Sequence, residues 1–271
     1  VPFATGSGEH RVHFKEYGSR ANPTIVLIQG LVLDGRFWLQ MPTELAADAE
    51  LPWHVLVPDN RGVGQSDMPK RPWTMGDMAD DIAAVLDATG VRTAVLAGIS
   101  MGGMIAQHVA LRHPERVSGL VLMATTPGLP HGKLPGLRTL GDLFGSSLLR
   151  RGEIESFARL ILPDAELPNA RELLSGWFQL MREQAPTRRT FLCQMGAIGT
   201  HSTGSRLRQI SAPAQIVTGD EDRLVPARNS EILAAKIRRS RLEVLPGVAH
   251  GIPLMDRLVV RRNAALLRPS G

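Results

Sequence analysis

Cysteine is nearly missing from this 271-residue chain: Cys193 stands alone, so no disulfide can close within it. A single thiol fits a reducing compartment. The opening residues, Val1-Pro2-Phe3-Ala4-Thr5-Gly6, lack the basic start and apolar stretch of a secretory signal, so a cytoplasmic location is expected. Aromatic residues make up 4% of the chain, and tyrosine occurs once, as Tyr17. Arginine pairs are scattered at Arg150-Arg151, Arg188-Arg189, Arg238-Arg239 and Arg261-Arg262. Both features argue against nucleic-acid binding, which gathers positive charge into one stripe with stacking rings. The net charge of +5 then reads as solvated arginine-rich faces, with a weak attraction to anionic membrane surfaces as its residue. No apolar run approaches the ~20 residues needed to span a bilayer. No Cys–His or carboxylate cluster suggests a metal site, and no cofactor is expected.

What is present is the composition of an ordinary folded domain, 43% hydrophobic and 21% charged. Short apolar runs at 12–17, 24–29, 53–58, 94–98, 120–124, 214–218 and 241–245 are bounded by Gly, Pro or Asp, as strands are. Between them, 76–89, 101–113, 229–238 and 254–267 carry apolar residues at helical spacing. Strand alternating with helix predicts an α/β fold with a mostly parallel, doubly wound sheet. From 125 to 211 the alternation stops. Helix-like patches at 153–162 and 171–182 are punctuated by proline, and so long a structureless loop would be implausible. The expected organisation is a core domain of 1–124 and 212–271, with 125–211 inserted as a helical cap.

The strongest local signal is Gly98-Ile99-Ser100-Met101-Gly102, a G-x-S-x-G directly after a predicted strand and directly before a predicted helix. Small residues let the chain turn sharply there and lift the serine hydroxyl out of the sheet edge. A serine needs a base, and the base needs an orienting carboxylate. In chain order the acid should come next and the histidine last. Two later strand ends offer them. One reads Gly219-Asp220-Glu221-Asp222-Arg223-Leu224-Val225-Pro226, and the other Gly247-Val248-Ala249-His250-Gly251. Three carboxylates thus compete for the acid role. His250 alone has position and context together. His10, His13 and His54 precede the motif, His108 lies within the helix after Ser100, and His113 precedes a helix-ending proline. His131 and His201 fall in the cap, within reach of a substrate.

These segments, with Asp59 to Ser66 (DNRGVGQS), resemble the α/β-hydrolase superfamily from about Thr24 to the last helix. Bacterial esterases, enol-lactonases and cofactor-free haloperoxidases carry the nearest motifs. The resemblance implies the α/β-hydrolase fold and makes Asp222 the acid, with Asp220 a turn residue. It implies backbone N–H groups of Met101 and Leu31 as oxyanion donors, with Gly30 allowing close approach. It also makes the 59–66 loop structural. Two departures stand out: Gln29-Gly30 where the family commonly has His-Gly, and Leu31 where haloperoxidases usually carry an aromatic residue. Trp177 and Phe178 are candidates to line an acyl pocket. The expected function is carboxylic-ester hydrolysis of a small-molecule ester or acyl substrate through an acyl-enzyme, of lipase or esterase type. The alternatives are perhydrolase, carbon–carbon bond hydrolase or enol-lactonase chemistry on the same site, or a ligand-binding protein that kept the pocket.

Overall fold

The computed structural model describes residues 2–6, 9–145, 154–183 and 186–268. Arg150-Arg151 and Glu153, at the start of the helix predicted from 153, lie outside the described residues. The strands are β1 (Phe3–Thr5), β2 (Arg11–Tyr17), β3 (Thr24–Ile28), β4 (His54–Pro58), β5 (Ala94–Ile99), β6 (Val117–Met123), β7 (Ala214–Gly219) and β8 (Ser240–Leu245). They form one sheet in the order β1-β2-β4-β3-β5-β6-β7-β8. The two N-terminal strands pair antiparallel and the rest run parallel. The predicted doubly wound sheet is therefore what forms. β1 escaped sequence reading because it is only three residues long; pairing with β2, Phe3 opposite His13, holds it in place.

The continuous apolar runs are explained by burial on both faces of the sheet. In β3, Val26 and Ile28 enter one core while Ile25 and Leu27 enter the other. Helices cover both sides: α1 (Met41–Ala46), α2 (Met75–Ala88) and α3 (Met101–Arg112) precede β6. α2 opens on a capping box, in which Thr74 Oγ1 accepts the Asp77 N–H and Asp77 accepts the Thr74 N–H. Then come α4 (Leu137–Gly145), α5 (Ile154–Ile161), α6 (Ala170–Leu173), α7 (Ser175–Glu183) and α8 (Arg188–Gly199), all between β6 and β7. Their apolar faces meet in a cluster of their own, with Leu160, Ile161, Leu174 and Trp177 around Phe37. α9 (Arg228–Lys236), α10 (Ile252–Met255) and α11 (Val259–Ala265) complete the chain. The single helix expected over 254–267 is in fact two. Asp256 is extended at the break, and its carboxylate accepts the Leu258 N–H.

Chain order within the sheet decides where a site can form. From β3 the chain winds outward to β4, then returns to β5 on the other flank of β3. Loops leaving the carboxyl ends of β3 and β5 diverge and open a crevice between them.

On α3, half-buried His108 meets buried His201, with 3.2 Å between His108 Nε2 and His201 Nδ1. His201 Nε2 donates to the Thr126 carbonyl at 3.0 Å, so in the neutral ring Nδ1 is the acceptor. Burial pushes His108 down to about 3, helped by the charges of His201, Arg206 and Arg112. Burial pushes His201 down to about 4, against the pull of the Thr126 carbonyl. Because both folded values lie below the unfolded one, the unfolded chain takes up protons first as pH falls. Stability should therefore drop between about pH 6.5 and pH 4. Urea unfolding across that range checks it, and His108→Gln should make the decline shallower.

Candidate active site

Ser100 occupies the turn between β5 and α3 with φ 55° and ψ −119°, a left-handed conformation unusual for a residue with a side chain. The glycines on either side explain how so tight a turn closes. A Cβ at Gly98 would lie 2.4 Å from the Gly102 carbonyl, and one at Gly102 would lie 2.1 Å from the Ile28 carbonyl oxygen. Hydrogen bonds lock the turn: Ser100 N–H donates to Met123 O at 2.9 Å, and Thr125 Oγ1 donates to Ser100 O at 2.7 Å. No motif marks Thr125 in the sequence. The structure gives Thr125 a bracing role.

The loop after β3 folds back over this turn. A Cβ at Gly30 would sit 3.3 Å from Ser100 Cβ and 3.9 Å from its Oγ, so glycine lets the loop come this close without a tight contact. Gln29 stands in for the commoner histidine by accepting the Gly30 N–H on its side-chain oxygen at 3.1 Å. Asn60 Nδ2 donates to the Gln29 carbonyl at 3.0 Å. Met101 is the first residue of α3, so its N–H has no acceptor within the helix and faces the positive dipole end.

β7 and β8 are neighbours, and their end loops interlock. Asp220 accepts the Gly247 N–H at 2.8 Å, which makes it a turn residue, and Glu221 is exposed. Asp222 Oδ1 accepts the N–H groups of Leu224 and Val225 at 2.9 and 2.7 Å. Its Oδ2 meets His250 Nδ1 at 2.8 Å, and both side chains are buried. A carboxylate only accepts, so Nδ1 carries the proton and Nε2 is left as the basic nitrogen.

Ser100 and His250 line one open cavity. Gln29, Gly30 and Leu31 form one wall, and Leu143, Phe157, Leu160, Ile161, Trp177 and Leu224 form an apolar roof. Trp177 is thus where it was expected. Phe178 is not among the lining residues; its ring packs on Phe157 with centroids 6.3 Å apart. His131 and His201 do not line the cavity either: His131 lies against Gly204, and His201 is engaged with His108 and Thr126. The roof leucines carry no motif, so nothing in the sequence marks them.

The 59–66 loop is held by structural bonds. Asp59 accepts from Gly35 N–H at 2.8 Å, Gln65 N–H at 2.9 Å and His13 Nδ1 at 2.6 Å. Arg61 pairs with buried Asp81. Among the described residues, no cluster of three or more His, Cys, Asp or Glu could hold a metal. No helix among them is long and apolar enough to cross a membrane.

A family model described as the alpha/beta hydrolase fold matches residues 23–189. The chain belongs to the α/β-hydrolase family. It is 31% identical over 225 residues to a 2-hydroxy-6-oxononadienedioate/2-hydroxy-6-oxononatrienedioate hydrolase of Burkholderia vietnamiensis, covering 80% of this chain and 77% of that one. It is 28% identical to a non-heme haloperoxidase of Rhodococcus erythropolis, covering 98% of both. Among solved structures, a hydrolase from Pseudomonas aeruginosa superposes with a TM-score of 0.83 at 24% identity, over 98% of this α/β hydrolase and 97% of that chain. The chain is therefore an enzyme of hydrolase type within this family.

Close packing at the serine turn sets a stability prediction. Gly102→Ala forces a methyl group against the Ile28 carbonyl and should cost about 1–3 kcal/mol. Gly196→Ala on α8, where a Cβ would meet nothing within 4 Å, should be neutral or stabilise by about 0.5–1 kcal/mol. Urea midpoints of the two variants, compared with wild type, measure the difference.

Proposed function

We propose that this α/β hydrolase is a serine carboxylic-ester hydrolase acting on uncharged, apolar acyl groups. The observation that carries the reading is the bond between His250 Nδ1 and Asp222 Oδ2, at the rim of the cavity that Ser100 shares. It leaves Nε2 unprotonated, as a general base must be. Ser100 Oγ attacks the ester carbonyl while His250 Nε2 takes its proton. The N–H groups of Leu31 and Met101 receive the oxyanion of the tetrahedral intermediate. The C–O bond then breaks, His250 passes its proton to the leaving alcohol, and an acyl-serine remains. Water, deprotonated by His250, attacks the acyl-serine; the acid leaves and Ser100 recovers its proton. Asp222 holds the ring in one tautomer and stabilises the imidazolium. These steps call only on side chains and backbone.

The lining supports the acyl class. Its polar members are Gln29, Ser100 and His250, and no lysine or arginine is among the described lining residues. A substrate carboxylate buried among Leu143, Phe157, Leu160 and Trp177 would lose hydration with no cation among the described lining residues to offset it. The Burkholderia relative is named for a dicarboxylate substrate. The apolar roof favours an ester of a neutral acid over such a dianion.

Ser100→Ala should lower hydrolysis of the 4-nitrophenyl ester of hexanoic acid by a factor on the order of 10³ or more. Equal rates in variant and wild type would end the serine reading. A ligand-binding protein would also resist labelling by a fluorophosphonate, which the wild type should accept. Replacing hexanoate by the mono-4-nitrophenyl ester of adipic acid changes only the terminal methyl group to a carboxylate. It should lower kcat/KM by about 100-fold or more; comparable values for the two esters would remove the neutral-acyl assignment.

A further inference from the structure

Three consecutive amides follow the end of β3, and their partners differ. Gly30 N–H is taken by the Gln29 side chain. Val32 N–H donates to Gln194 Oε1 at 2.7 Å. Leu31, between them, lines the cavity with Ser100, and neither side-chain acceptor claims its N–H. Val32 has φ 58°, a conformation that a β-branched side chain disfavours and that surrounding contacts must enforce.

Gln194 lies on α8, 162 positions away in sequence, and is fully buried. Its amide is used from both ends: Oε1 accepts from Val32, and Nε2 donates to the Arg61 carbonyl at 3.1 Å. Each end faces a partner of opposite kind, so the orientation of the amide is fixed. One turn earlier on the same face, Thr190 Oγ1 donates to the Gly62 carbonyl at 2.9 Å. α8 is therefore keyed into the 59–66 loop at two points, and Gln194 transfers that anchorage to Val32.

We infer that Gln194 is a positioning residue for the oxyanion site, holding Val32 left-handed so that the Leu31 N–H points at the developing oxyanion. The inference rests on the serine-ester reading above. Gln194 touches no substrate. Its effect runs through the angle of one peptide, and an amide only slightly misdirected loses much of its stabilisation of the transition state.

Two substitutions separate this role from a purely structural one. Gln194→Met removes both bonds, whereas Gln194→Glu keeps an acceptor for Val32 and loses the donor to Arg61. Both variants should unfold at lower urea than wild type. Gln194→Met should lower kcat on 4-nitrophenyl hexanoate by about 10- to 100-fold with KM within about twofold. Gln194→Glu should keep kcat within about threefold. A trifluoromethyl ketone inhibitor, which forms the oxyanion on Ser100, should bind Gln194→Met more weakly by the same factor as the loss in kcat. If Gln194→Met does not fold, Gln194→Asn, polar but one methylene shorter, carries the same expectations. An unchanged kcat in Gln194→Met, an equal loss in both variants, or a loss confined to KM would overturn the inference. Ser100→Ala, assayed in parallel, keeps the two failures apart. A fully active Ser100→Ala sinks the serine reading, while an inactive Ser100→Ala beside a fully active Gln194→Met sinks only this inference.

Discussion

The close approach of the β3 loop to the serine turn is the constraint on which the rest of the site depends. It exists because β3 and β5 are hydrogen-bonded neighbours, Ile28 opposite Gly98, so the loops that leave them start side by side. Backbone meets backbone there without side chains between them: Gly102 lies beneath the Ile28 and Gln29 carbonyls, and Gly30 lies against Ser100. A methyl group at either point would push the two loops apart. The glycines of the motif therefore have a steric purpose beyond flexibility. They set the distance between the loops that leave two separate strands.

Strain collects at the same rim. Ser100, Val32 and Ala124, with φ of 55°, 58° and 45°, sit just beyond β5, β3 and β6, which are adjacent strands. Non-glycine residues in this region cost of order 1–3 kcal/mol each and persist only where neighbours over-determine them. Ser100 is held through Met123 O and Thr125, Val32 through Gln194, and Ala124 through a 2.9 Å bond from its N–H to Val217 O. The buried sheet beneath supplies the rigidity that such holding needs, since its strands are packed on both faces.

What was legible in the sequence follows from how local each cause is. Strands buried on both faces announce themselves as apolar runs, and the serine turn as small residues at fixed spacing. Both depend on a few neighbouring positions. The choice among Asp220, Glu221 and Asp222 took a family resemblance, because three adjacent carboxylates differ only in direction. The fold supplies the directions: one caps the Gly247 turn, one points outward and one meets His250. β1 was illegible because three residues carry no periodicity. Trp177 and Phe178 were offered together as lining candidates because adjacent helix positions look alike until the helix is docked. Gln194 had no signal at all. A glutamine in an amphipathic helix is commonplace, and its partners lie 162 and 133 positions away.

The helical segment between β6 and β7 is therefore more than a cover over the cavity. It is tied to three of the loops that build the site. Ile161 O, at the end of α5, accepts the Gly251 N–H beside His250 at 2.8 Å. Gln194 on α8 holds the β3 loop, and Glu183 on α7 reaches Arg36 beyond it. Asp164 pairs with Arg223, next to Asp222. The exposed ion pairs contribute little, but the buried bonds to Gly251 and Val32 would each leave a desolvated amide if broken. Moving α5 and α8 together as a hinged lid would break both bonds and release Val32 from its left-handed state. On the proposed reading, the helices that line the cavity also hold the loop that carries the oxyanion donor, so a change in the roof that repositions α8 would alter the chemistry along with the fit.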